Sequence, residues 1–197
     1  MIPNFVPEST GQPPVPITIA AVGPNALRLA GEACDGVRLH PFCTRDYLAD
    51  VCLPRIAEGM ARTGRERNRF QVTGGGFIAT GATDADVDAM VEWVRYRVAF
   101  YGSTPAYWPV LAHHGLEDLG RKLNAMTKAG QWDRMAAEIP DDVLRLFAAV
   151  GRFDDIADAV AERFGGLADA VYASASSDRR PDLPAEIIAR IQSIPTA

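Results

Sequence analysis

The stretch from Ile17 to Phe42, ITIAAVGPNALRLAGEACDGVRLHPF, constrains the fold of this chain more than any other. Ile17 to Val22 is a short apolar run with prolines upstream, and Gly23-Pro24 closes it. Proline suits the first turn of a helix, where its missing N–H would be unpaired anyway. Leu27, Ala30, Gly31 and Cys34 then share one helical face. Asp35-Gly36 ends that helix, and Val37 to Phe42 forms the next strand. A strand, a one-faced helix and a second strand in so short a span predict a βαβ unit with parallel strands.

The rest of the chain reads as more of the same alternation. Met1 to Pro16 holds five prolines and no period, so it is an extended lead-in, although Ile2, Phe5 and Val6 look meant to be covered. Thr44 caps a helix to about Thr63, kinked or split by Pro54 and ended by Gly64. Phe70 to Thr80, FQVTGGGFIAT, is the third strand. Its glycines mark a bulge or a close backbone approach. Thr83 and Asp86 make an imperfect capping box for a helix striped with Val87, Met90, Val91, Val94, Val98 and Tyr101. Residues from about 102 to 150 form a mostly helical insertion, whose last helix opens at Pro140 and runs through Val150. A further helix spans Asp155 to Phe164, and Asp169 to Ala173 is the fourth strand. Residues 174–182 are polar, and a final helix covers about Leu183 to Ile194. The expected fold class is α/β with parallel strands; the pattern leaves open a small open sheet or part of a barrel.

Composition narrows the function classes. With 197 residues, 48% of them hydrophobic, the chain buries a sizeable core, and one domain is expected. Its net charge of −5 and the lack of a long basic run speak against a nucleic-acid partner. No stretch approaches a membrane span, and the N-terminus lacks the layout of a signal peptide, so a cytoplasmic setting is expected. Cys34, Cys43 and Cys52 lack zinc-finger spacing and read as reduced, buried thiols.

The residues Ala20, Ala21, Val22, Gly23, Pro24, then Ala30, Gly31, Asp35, Gly36, then Leu39, His40, Pro41 and Phe42 closely resemble the luciferase-like flavin and deazaflavin oxidoreductases, in the branch that uses coenzyme F420. The Phe70 strand, the acidic helix after Thr83 and the run GRFDDIADAVAERFGGLADAV are similar to the same family. The resemblance implies a TIM-barrel (β/α)8 fold of which this chain carries only strands five to eight, a truncated half-barrel. It implies hydride transfer between F420, or FMN as the alternative, and an organic substrate. The family's catalytic residues would lie upstream of Met1, so none is assigned here. The alternative function is a non-catalytic half-barrel that binds cofactor weakly or serves as a subunit. Either way, a missing N-terminal half or self-association is implied, to cover two sheet edges and an apolar inner face.

Candidate chemistry clusters at the first βα turn. Gly23-Pro24 meets a helix N-terminus, whose free N–H groups can hold a phosphate; the plainer alternative is a simple turn. The resemblance places the cofactor phosphate at Ala21, Val22, Gly23, Leu39 and His40, and valine at Gly23 is expected to obstruct the approach and strain the turn. His40 is either a phosphate or cofactor donor or a structural histidine satisfied by backbone. His113 and His114 are adjacent, but no further ligands complete a metal site, and none is expected. Tyr107 and Trp108 either line a substrate pocket or pack helices. Gly74-Gly75-Gly76 lacks the Lys-Ser or Lys-Thr of a P-loop and reads as close backbone packing.

Overall fold

A computed structural model describes residues 11, 14–172 and 183–196. The predicted βαβ unit is present: β1 (Thr18–Ala21), α1 (Pro24–Ala33) and β2 (Gly36–Leu39), with β1 and β2 parallel and Ala21 opposite Leu39. Pro24 opens α1. The chain then passes through a single turn α2 (Arg45–Tyr47), capped by the Thr44 hydroxyl, and a π-helical turn at Leu48–Cys52, before α3 (Leu53–Thr63). The expected effect of Pro54 is thus a change of helix type ahead of it, with the proline itself in the first turn of α3. Gly64 ends α3 with φ 65°, a left-handed conformation that glycine adopts without strain.

Helices α1 and α3 lie almost backbone to backbone. A Cβ on Gly31 would fall 2.2 Å from the Ile56 carbonyl oxygen, and one on Gly59 would fall 2.0 Å from that of Arg28. Their apolar faces, Leu27 and Ala30 with Ile56 and Met60, cover Ala21, Val37, Leu39 and Val72 on one side of the sheet. The alternate residues Thr18, Ala20, Arg38 and Gln71 are exposed. Among the described residues, that face of β1–β3 thus carries these side chains where an apolar inner face was expected. A two-residue period sends the large apolar side chains of these strands toward the helices.

Two expectations for the strands are corrected. The third strand is not continuous from Phe70 to Thr80. It breaks at Gly75-Gly76 into β3 (Gln71–Gly74) and β4 (Phe77–Gly81), with Gly76 at φ 136°. The expected helix through Val150 stops earlier: α7 (Asp141–Phe147) is followed by β5 (Ala148–Arg152), which pairs in parallel with β4. Pairing with β4 outweighs the high helix propensity of Ala148 and Ala149, and Val150 and Gly151 disfavour continuing the helix. The strands form a parallel four-stranded sheet in the order β1-β2-β3-β6, with β6 at Ala170–Val171, and a separate β4-β5 pair. Among the described residues β1 and β6 each have one strand neighbour, so the sheet is unclosed.

Between β4 and β5 lie α4 (Asp84–Gly102), α5 (Trp108–Ala112) and α6 (Glu117–Lys128). The Thr83–Asp86 capping box forms in both directions. After β5 come α8 (Ile156–Phe164) and, following β6, α9 (Ala185–Gln192), which is shorter than expected at both ends. All three cysteines are free and buried. The lead-in lies outside the described residues except for Gly11 and residues 14–16, as do Ala173 and the polar stretch 174–182. No described helix is long and apolar enough to cross a membrane.

The helix approach sets a stability test. Gly59→Ala should destabilise the chain by about 1–3 kcal/mol, the usual cost of overpacking. Urea denaturation checks this, and an unchanged midpoint would contradict the close approach.

Candidate functional site

The carboxyl ends of β1 and β2 lie side by side, because the register that pairs Ala21 with Leu39 also lets the His40 N–H donate to the Ala21 carbonyl at 3.3 Å. Val22 follows β1, and its carbonyl accepts from the buried Tyr47 hydroxyl at 3.3 Å, which ties the turn to α2. Gly23 is the N-cap of α1. It offers no side-chain cap, and the first turn contains no acidic residue. The Asn25 and Ala26 N–H groups therefore have neither an intrahelical acceptor nor a capping side chain. By contrast, Thr83 and Asp86 close the start of α4.

Gly23 has φ −81° and ψ 151°, and an added Cβ would meet nothing within 4 Å. The expectation that valine would strain this turn is corrected, since any residue adopts this extended backbone. The glycine leaves open space in front of an uncapped helix N-terminus.

One nitrogen of His40 is satisfied by backbone, as the structural alternative expects. Its Nδ1 accepts from the Phe42 N–H at 3.0 Å, so the neutral ring carries its proton on Nε2. That N–H has no hydrogen-bond partner among the described residues. The ring lies 4.5 Å from Tyr107 and 4.6 Å from Tyr101 between centroids, tilted and edge-on respectively. Burial pulls its pKa from 6.5 down to about 4, so it is neutral at physiological pH. Gly75 packs beneath it: a Cβ there would fall 2.2 Å from the His40 carbonyl oxygen, which matches the reading of the glycine run as close backbone packing.

The remaining candidates are structural. Trp108 donates to the Gly102 carbonyl at 3.0 Å and packs over Gly120, which favours helix packing. His113 lies 3.2 Å from Asp50, and His114 lies 2.7 Å from the Thr44 hydroxyl. Among the described residues no group of three or more His, Cys, Asp or Glu could hold a metal ion. A hydrogen bond to Cys43 and burial push the Cys52 thiol well up, which keeps it protonated.

Sequence reasoning missed Tyr101 as a neighbour of His40, because its place in the α4 stripe reads as core. It also missed Arg163, which is buried on α8. A signal was present: Arg163 falls three residues after Val160 and seven after Ile156, both buried, so it lies on the apolar face.

Comparisons with known proteins agree with this architecture. The luciferase-like monooxygenase family matches residues 3–170. An uncharacterized protein of Mycobacterium tuberculosis is 42% identical over 171 residues, which are 87% of this chain and 50% of that protein. The 5,10-methylenetetrahydromethanopterin reductase of Archaeoglobus fulgidus is 33% identical over 156 residues, covering 75% of this chain and 44% of the reductase. The structure of the coenzyme F420 dependent tetrahydromethanopterin reductase from Methanopyrus kandleri superposes with a TM-score of 0.67 at 22% identity, covering 92% of this chain and 50% of that one. The chain spans about half the length of the relatives it matches. With its unclosed parallel sheet, that is half of a TIM-barrel-like fold. The chain belongs to the luciferase-like monooxygenase family of oxidoreductases and is related to reductases of that family.

Proposed function

We propose that this chain is the cofactor-facing half of an F420-dependent oxidoreductase, with FMN as the alternative cofactor. In this reading Ala21, Val22, Gly23, Leu39 and His40 seat the cofactor phosphate. One observation carries it: an uncapped, acid-free helix N-terminus at Gly23 beside a neutral histidine donor on the neighbouring strand end. The similarity to the coenzyme F420 dependent reductase of Methanopyrus kandleri supports the choice of cofactor.

The residues present fit such a group. The Asn25 and Ala26 N–H groups and His40 Nε2–H are the donors, and Gly23 leaves room for an oxyanion. The Ala21–Leu39 register and the Tyr47 bond to Val22 hold the two strand ends at fixed spacing. A bound deazaflavin or flavin supplies hydride transfer to or from an organic substrate. This chain's contribution is binding and orientation, and no catalytic residue is assigned to it. The open edges of β1 and β6 are covered by a complementary half-barrel or by a second copy, in a cytoplasmic setting that keeps the thiols reduced.

The helix-dipole contribution of about 0.3–1 kcal/mol is small against the roughly 4 kcal/mol that millimolar affinity needs. Titrating the labelled chain with F420 and with FMN should therefore give weak binding, with NMR shifts clustered at Val22 to Asn25. Gly23→Val should abolish those shifts by filling the approach, without unfolding the chain, and His40→Ala should weaken them less. Because the His40 pKa lies near 4, its contribution should be flat from about pH 5 to 8. Shifts elsewhere, or binding indifferent to Gly23→Val, would contradict the seat.

His40 also sets a stability trend. Its folded pKa lies below the unfolded value of 6.5, so the unfolded chain takes up the proton first as pH falls. Stability should decline from pH 6.5 toward 4, and His40→Gln should flatten that decline in thermal melts. An equal decline in the variant would contradict it.

The chain alone should show no F420-dependent turnover over a panel of alcohols and enones, and light scattering should find it self-associated at micromolar concentration. Turnover by the isolated chain, or a monodisperse monomer with a sharp melt, would contradict the half-barrel reading.

A further inference from the structure

A second polar centre lies just past the end of β2 and shares no residue with the Gly23 seat. A cavity of about 320 Å³ is lined by Thr44, Arg45, Asp46, Arg145, Glu162 and Arg163, among others. Arg163 is only 6% exposed. Its Nη1 donates to the Leu146 carbonyl at 2.7 Å and its Nη2 to the Cys43 carbonyl, while its Nε is buried without a partner. Gly76 makes room for it, since a Cβ there would fall 2.4 Å from Nε. Burial lowers the guanidinium pKa only to about 10, so the charge persists at neutral pH.

No carboxylate neutralises this charge directly. Asp46 favours the charged form of Arg163 through space, but no acid lies within ion-pair distance of Arg163 among the described residues. Arg45, Arg145, Asp46 and Glu162, which share the cavity wall, likewise form no ion pair among the described residues. Three arginines thus line one cavity, and neither acid beside them forms an ion pair with any of the three among the described residues.

A buried charge without a counter-charge is costly, and a neutral side chain of similar size would fill the same space with less desolvation. We propose that this cavity is a subsite for an oxyanion, a phosphate or a carboxylate, held by Arg45 and Arg145, with Arg163 supplying the buried charge. The planar guanidinium fork matches both oxyanions in geometry. The glycine run then has a second role: Gly76 admits the arginine while Gly75 lets the backbone close on His40.

The test is an NMR titration of the labelled full chain with inorganic phosphate and, separately, with malonate, at ionic strength held constant with chloride. Saturable shifts are expected at Arg45, Asp46 and Leu146. The Arg45→Ala/Arg145→Ala double variant should weaken binding by about tenfold or more, as expected for lost charge-assisted hydrogen bonds. Arg163→Met should remove it; if that variant does not fold, the double variant still decides. Binding of only one of the two anions supports the subsite and identifies which oxyanion it takes. Shifts no larger than those with chloride, or affinity unchanged in the double variant, would overturn the proposal. Shifts at Asn25 and Ala26 report on the Gly23 seat instead, so the two readings fail separately.

Discussion

The parallel pairing of β1 with β2 is the constraint on which the rest depends. It places Ala21 opposite Leu39, and so brings the uncapped start of α1 beside His40. Two-residue periodicity then sends Ala21, Val37, Leu39 and Val72 under α1 and α3, and leaves Thr18, Ala20, Arg38 and Gln71 on the open side. The helices reach that sheet as one closely joined pair because Gly31 and Gly59 carry no side chain.

The second organising feature is the break at Gly75-Gly76. It ends one sheet and starts another, and it opens the space that Arg163 occupies between the Cys43 and Leu146 carbonyls. One arginine thus joins the segment after β2 to the segment before β5 across a long stretch of sequence. The same break lets the backbone pass close to His40, so the histidine and the arginine are positioned by neighbouring glycines.

Much of this was legible in the sequence. The Ile17–Phe42 unit, the Thr83 cap and the one-faced helices follow from local rules that the structure obeys. What was not legible depended on partners distant in sequence. Ala148 to Arg152 becomes a strand only because β4 offers an edge, and Phe70 to Thr80 divides because its two halves pair with different neighbours. At the site, the sequence marked Gly23 and His40 but not the Phe42 N–H that fixes the histidine tautomer, nor Tyr101 beside it. The open face follows from alternation only once the side covered by α1 and α3 is known, and that cover is a tertiary contact.

The chain spans about half of its relatives, and its sheet is open at β1 and β6. Amide hydrogen exchange at several protein concentrations tests that claim most directly. At low concentration the amides of β1 should exchange faster than those of the flanked strand β2, and should gain protection as concentration rises and the edge is covered. Equal protection of β1 and β2 at every concentration would contradict the open sheet.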